Sequence, residues 1–220
     1  MRNTDDHGLV DSEGNPVSIG DPRRLIETAR ARYSEPGRFE DFLLFMGSLC
    51  KMRGWFWWAV VYLEELHGLV LEPDLKARCL LLLGQTWERL DHLDRALATY
   101  SEASELASGD AGIWYFLHNN RGYCLNHFGR HREALHFCDA AIAIDASRHN
   151  AYKNRGVALA GLGRCREAAR SLLEAARIYP RDPRALAIFE GLLRANPALL
   201  DQDPALLLLL AEAREAAPRT

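Results

Sequence analysis

No run of apolar residues in this chain comes near the ~20 needed to cross a bilayer. The longest leucine runs are Leu80 to Leu83 and Leu206 to Leu210, so membrane insertion is not expected. The first twenty residues, MRNTDDHGLVDSEGNPVSIG, hold no apolar core of the kind a secretory leader carries, which makes a cytoplasmic location the expectation. Positive charge is not in excess. With 27 Lys and Arg against 30 Asp and Glu the formal net charge is −3, and the basic stripe of a nucleic-acid binder is missing. The five cysteines (Cys50, Cys79, Cys124, Cys138 and Cys165) are odd in number and form no CxxC pair. A disulfide framework does not fit them; reduced thiols used as small packing residues do. None of the strings GxGxxG, GxxxxGK[ST], GxSxG or HExxH occurs, so neither a cofactor nor enzymatic activity is expected.

Histidine is more plentiful. His118, His127, His131 and His136 lie near Cys124 and Cys138, and His127 and His131 are four apart. The Phe128-Gly129-Arg130 turn separates that pair, so the three or four converging ligands of a zinc site are not expected.

What the sequence does have is a period. NRGYCLNHFGRHREAL (Asn120 to Leu135) and NRGVALAGLGRCREAA (Asn154 to Ala169) agree at nine of sixteen letters across a shift of 34 residues. The pair Gly122 and Ala134, twelve apart, recurs as Gly156 and Ala168, Gly84 and Ala96, and Gly47 and Ala59. After each alanine come residues at four and seven: Leu63 and Leu66, Tyr100 and Ala103, Cys138 and Ala141, Leu172 and Ala175. Spacing of four then three is one helix face, so each copy predicts a helical hairpin. A glycine inside a helix costs up to ~1 kcal/mol against alanine. That cost implies a close approach to the second helix, with the alanine as partner.

These residues resemble the tetratricopeptide repeat, whose motif places a small residue in the first helix, alanines in the second and a closing proline at a 34-residue period. The resemblance implies an all-α, right-handed superhelical solenoid of four hairpins at about 40–73, 77–110, 115–148 and 149–182. The last copy matches best, through Tyr152, Gly156, Leu159, Ala168, Ala175 and Pro180; the first departs most, with Trp57 and Trp58 where the family carries charge. The step from Gly84 to Gly122 is 38 residues, which moves the start of the third copy's first helix to about Ala111. A polar tail at 1–20 is expected to be disordered, and the solenoid to fill 21–220 as one domain. Asp21-Pro22 starts a flanking helix, and capping helices at about 183–195 and 203–216 cover the far end.

In such a fold the first helices line a groove, and the resemblance implies a protein or peptide partner there. The predicted stripe is Phe116, Asn120, Tyr123 and His127 in the third copy, and Asn150, Asn154 and neighbouring Lys153 in the fourth. It continues as Arg78, Leu82 and Gln85 in the second copy and Phe45 in the first. Asn120 and Asn154 share a rung. An amide offers a donor and an acceptor, so the pair is expected to hold the backbone of an extended peptide. Two alternatives stand beside this: a carboxylate clamp from Asn120, Lys153, Asn154 and Arg184, and amides that bond within the scaffold between repeats.

Trp55 to Tyr62 and Leu206 to Leu210 are more apolar than a hairpin needs. Each either is covered, by the helix at 22–33 and by the helix at 184–195 respectively, or forms a homodimer contact. Self-association, and chaperoning of a secreted or assembling partner, are therefore the alternatives to a peptide-binding scaffold.

Overall fold

The computed structural model describes residues 9–10, 16–17, 21–33, 35, 37–106 and 108–215. The chain divides into two compact units, residues 1–71 and 72–220. In the first, β1 (Leu9–Val10) and β2 (Pro16–Val17) form a two-residue antiparallel ladder that pairs Leu9 with Val17. The other residues of the expected disordered tail lie outside the described set.

Three helices follow: α1 (Pro22–Arg32), α2 (Arg38–Met52) and α3 (Phe56–Leu69). Asp21 caps α1 by accepting from the Arg23 N–H at 3.0 Å, with Pro22 in the first turn where no N–H is needed. α1 packs on α2 and α3, and an Arg30–Glu65 ion pair ties it to the latter. Tyr62 and Val60 are buried, whereas Trp57 keeps 54% of its surface exposed.

The second unit holds three further hairpins and a cap. The hairpins are α4 (Pro73–Arg89) with α5 (Leu93–Ala103), α6 (Ala111–His127) with α7 (His131–Ile144), and α8 (His149–Gly161) with α9 (Cys165–Ile178). The cap is α10 (Arg184–Ala195), α11 (Leu199–Gln202) and α12 (Ala205–Glu215). α6 starts at Ala111 because Asp110 accepts from the N–H groups of Gly112 and Ile113.

The recurring glycine is explained by contact. A Cβ on Gly122 would lie 2.6 Å from Cys138 Sγ and 3.3 Å from the Ala134 carbonyl oxygen; on Gly156 it would meet Leu172 at 2.6 Å and the Ala168 carbonyl at 3.3 Å. The residue four beyond the alanine is thus the nearer neighbour, and the alanine contributes its backbone. Each hairpin turn also needs one left-handed residue. Gly54, Gly129 and Gly163 supply it, and Asp91 does so at φ 62° without being glycine.

At the C-terminal end Leu159, Leu172, Phe189 and Leu206 share one core. α12 packs chiefly against α9, not against the 184–195 helix that the sequence suggested. Arg170 fixes this docking through two hydrogen bonds to Asp203 Oδ2, at 2.7 and 3.1 Å. Leu206 and Leu210 are buried there, while Leu207 and Leu208 face outward.

Candidate functional site

Within the second unit the first helices adjoin one another in order: α6 touches α4 and α8, and α8 touches α10. Ten of the eleven predicted residues, all but Phe45, lie on α4, α6 and α8. A line of hydrogen bonds runs along the wall these helices form. Tyr100 donates its hydroxyl to Glu88 Oε1 at 2.7 Å, and the same hydroxyl accepts from Asn120 Nδ2 at 3.2 Å. Asn119 Nδ2 donates to Asn120 Oδ1 at 2.8 Å, and Asn154 Nδ2 donates to Asn119 Oδ1 at 3.0 Å. Asn126 Nδ2 adds a bond to the Asn154 carbonyl at 2.8 Å, and its Oδ1 lies 3.1 Å from His131 Nδ1.

Asn119, Asn120 and Asn154 are all buried. In a dry setting an unmatched amide is costly, which is why the three satisfy one another. Burial, then the neighbouring Glu88 charge, pushes the Tyr100 phenol well above its ordinary value, so it stays a neutral donor.

Beside this line a charged cluster forms where α8, the end of α9 and the start of α10 meet. Pro180 and Pro183 break the chain between the helices, and Asp182 turns inward to become 7% exposed. Its Oδ1 accepts from the Arg184 backbone N–H at 3.1 Å and from Arg184 Nε at 2.8 Å. Its Oδ2 accepts from Arg184 Nη2 at 2.8 Å and lies 3.3 Å from His149 Nε2 and 3.7 Å from Lys153 Nζ. The Arg184 hydrogen bonds hold the Asp182 carboxyl far below the usual carboxylate range. Burial draws the Lys153 ammonium down, with Arg184 adding to the effect and Asp182 opposing it. Its remaining partner is Asn150 Oδ1 at 3.5 Å.

Tyr123 feels both this cluster and the acidic side chains of the second hairpin. Burial raises its phenol, Glu88 and Asp91 add to the rise, and Arg184 opposes it. Its ring meets His127 edge-on at 4.6 Å.

Solved structures share this architecture. MamA 41-end from Desulfovibrio magneticus RS-1 superposes with a TM-score of 0.64 at 17% identity, over 83% of this chain and 97% of that one. The first TPR domain of human RPAP3 gives 0.52 at 20% identity, over 59% and 98%. The fold is that of the tetratricopeptide repeat. The Hsp90 co-chaperone Cns1 from Saccharomyces cerevisiae is a further likeness, with a TM-score of 0.54 at 22% identity over 66% of this chain and 46% of that one. No protein-family model matches the sequence, and no curated protein matches it.

On the tetratricopeptide wall the predicted residues separate. Lys153 and Tyr123 feel the Arg184 charge, Asn150 contacts Lys153, and Phe116 has the Arg148 guanidinium 4.8 Å above its ring. His127 and Arg78 are exposed, Gln85 and Leu82 half-buried. Phe45 belongs to the first unit, where 63% of its surface is exposed. Asn120 and Asn154 have scaffold partners for their donors, which is the inter-repeat alternative weighed from the sequence. Sequence reasoning overlooked Asn119, His149 and Asp182. The adjacent Asn119-Asn120 pair was a signal for the first; nothing in the period pointed to the other two. Among the described residues no three His, Cys, Asp or Glu side chains gather as metal ligands, and no helix is long and apolar enough to cross a membrane.

Proposed function

We propose that the chain is a non-enzymatic protein-interaction scaffold, and that its second unit holds an extended acidic segment of a partner along the wall of α4, α6 and α8. The observation that carries this reading is the imbalance around Asp182. Two basic side chains, Lys153 and Arg184, share one buried carboxylate, so with both protonated the cluster bears a net charge of about +1 at neutral pH while His149 is uncharged. A half-buried positive site attracts an anion more strongly than a fully hydrated one.

The peptide backbone would be held by groups other than Asn120 and Asn154, since both amides are buried and bonded to the scaffold. Asn150 beside Lys153, and Tyr123 paired with His127, would offer hydrogen-bonding groups and aromatic surface to the peptide. Binding of a fluorescent octapeptide that ends in two aspartates tests this reading. Lys153→Met together with Arg184→Ala is expected to weaken it about tenfold or more by removing charge-assisted contacts. An unchanged Kd in the folded double variant overturns this reading.

Self-association is a second reading, favoured by Leu207 and Leu208 at 51% and 70% exposure on α12. Sedimentation of the intact chain against Leu207→Glu with Leu208→Glu distinguishes it: a dimer lost in the variant supports that contact, and a monomer in both excludes it.

A further inference from the structure

His149 is the first residue of α8, and its ring stacks on Tyr179 with centroids 4.7 Å apart and planes 27° apart. That stacking aims Nε2 at Asp182 Oδ2, at 3.3 Å. The same oxygen already accepts from Arg184 Nη2 and faces Lys153 Nζ at 3.7 Å. That oxygen has two lone pairs: Arg184 holds one, and His149 Nε2, an assured donor only when the imidazole is protonated, competes with Lys153 for the other.

Lys153 loses that competition. Its side chain is only 12% exposed, yet its three N–H donors have just the long contacts to Asp182 and to Asn150. A partly buried ammonium with so little compensation is poised for an incoming oxyanion.

We propose that His149 couples capture of an acidic group to proton uptake: the protonated imidazole takes the place of Lys153 on Asp182 Oδ2 and frees that ammonium for the ligand. This rests on the anionic-segment reading given above. The proton comes from solvent onto the imidazole, and no covalent bond changes. Cluster charge rises by one, from about +1 to about +2, beside the place the acidic group occupies.

The groups that act on the ring come from each neighbouring element. Lys153 lies one turn along α8, Tyr179 closes α9, and Asp182 and Arg184 precede and open α10. Arg148, just before α8, is engaged with Asp145 at 2.6 Å and lies over the α6 rings of Tyr115 and Phe116. Burial holds the imidazole below its ordinary value of 6.5, with Lys153 and Arg184 in the same direction and Asp182 against. A bound carboxylate adds a second opposing charge and raises it, so affinity increases as pH falls.

The test measures Kd for the same aspartate-terminated octapeptide at pH 7.5 and 5.5, where its carboxylates remain ionised. Wild type is expected to bind about five- to tenfold more tightly at pH 5.5, the effect of one added charge near the ligand. His149→Gln is expected to bring that ratio close to one, whatever its affinity at pH 7.5. In parallel, the imidazole NMR signal assigned by its loss in His149→Gln should shift its midpoint upward when peptide saturates the protein. A wild-type ratio near one, a ratio retained in His149→Gln, or an equal ratio for an amidated asparagine-terminated peptide overturns the coupling while peptide binding itself stands. Absence of binding at both pH values overturns the binding reading and the coupling together.

Discussion

Asn154 on α8 donates to Asn119 on α6 at 3.0 Å, and Asn119 passes the line on to Asn120 at 2.8 Å. Two first helices are thereby joined by side chains buried against both. Both ends of this contact are buried. It holds adjacent hairpins in register, and its removal leaves amide groups unmatched in a dry place.

Asn119→Ala is therefore expected to cost about 2–3 kcal/mol, because Asn120 and Asn154 each lose a partner while remaining buried. Asn154→Ala should cost less, and the double variant less than the sum of the two, with a coupling of at least about 0.5 kcal/mol. Urea unfolding followed by circular dichroism measures all three. Additive losses contradict the bond.

The contact of Gly122 with Cys138 gives a packing test. Gly122→Ala puts a methyl 2.6 Å from Sγ and should destabilise the fold by about 1–3 kcal/mol. Cys138→Ala in the same chain removes the nearer obstacle and should recover part of that loss, the Ala134 carbonyl at 3.3 Å accounting for the rest. Thermal unfolding of the single and double variants decides.

Asp91 holds the left-handed turn position that glycine holds in the other hairpins. Asp91→Gly should stabilise the fold by about 0.5–1 kcal/mol by relieving that conformation. Gly163→Ala, the reverse change at φ 74°, should destabilise it by about 1 kcal/mol. Equal midpoints of thermal unfolding for wild type and Asp91→Gly would show that the aspartate makes up the difference elsewhere.

Thiol reactivity should separate the cysteines. Cys50, Cys79, Cys124 and Cys138 are fully buried, and burial pushes the thiols of Cys79, Cys124 and Cys138 up to about 12 and that of Cys50 to about 11. Only half-buried Cys165 has access to solvent. Maleimide labelling of the native protein is expected to add one group quickly, and none quickly to Cys165→Ser. Four or five rapid additions would mean that the hairpins open readily.

Acid stability should depend on Asp182. Its carboxyl is held below the unfolded value of 3.8, so its contribution is fully present above that pH and is lost as the pH falls through the folded-state value. Asp182→Asn should lower stability at pH 7 and flatten the loss between pH 4 and the acid limit (about pH 2). Identical acid unfolding curves for variant and wild type would detach Asp182 from the balance.

The hairpins were legible because small residues recur at a fixed interval and helix faces follow a period of 3.6. Gly122 with Ala134 and Gly156 with Ala168 specify, along one chain, where two helices meet. Part of the candidate site was legible for the same reason, since a rung shared by Asn120 and Asn154 follows from counting. Which way those amides donate was not. Asn119 and Asn154 are 35 residues apart, and their bond exists only once α6 and α8 lie side by side. The gathering of His149, Lys153 and Arg184 on Asp182 is likewise three-dimensional, for it depends on two prolines turning a carboxylate inward between helices. Periodicity determined the hairpins and the wall they form. Tertiary packing decided which polar groups on that wall are spent on the scaffold, because burial and hydrogen bonding are settled by neighbours that sequence spacing does not identify.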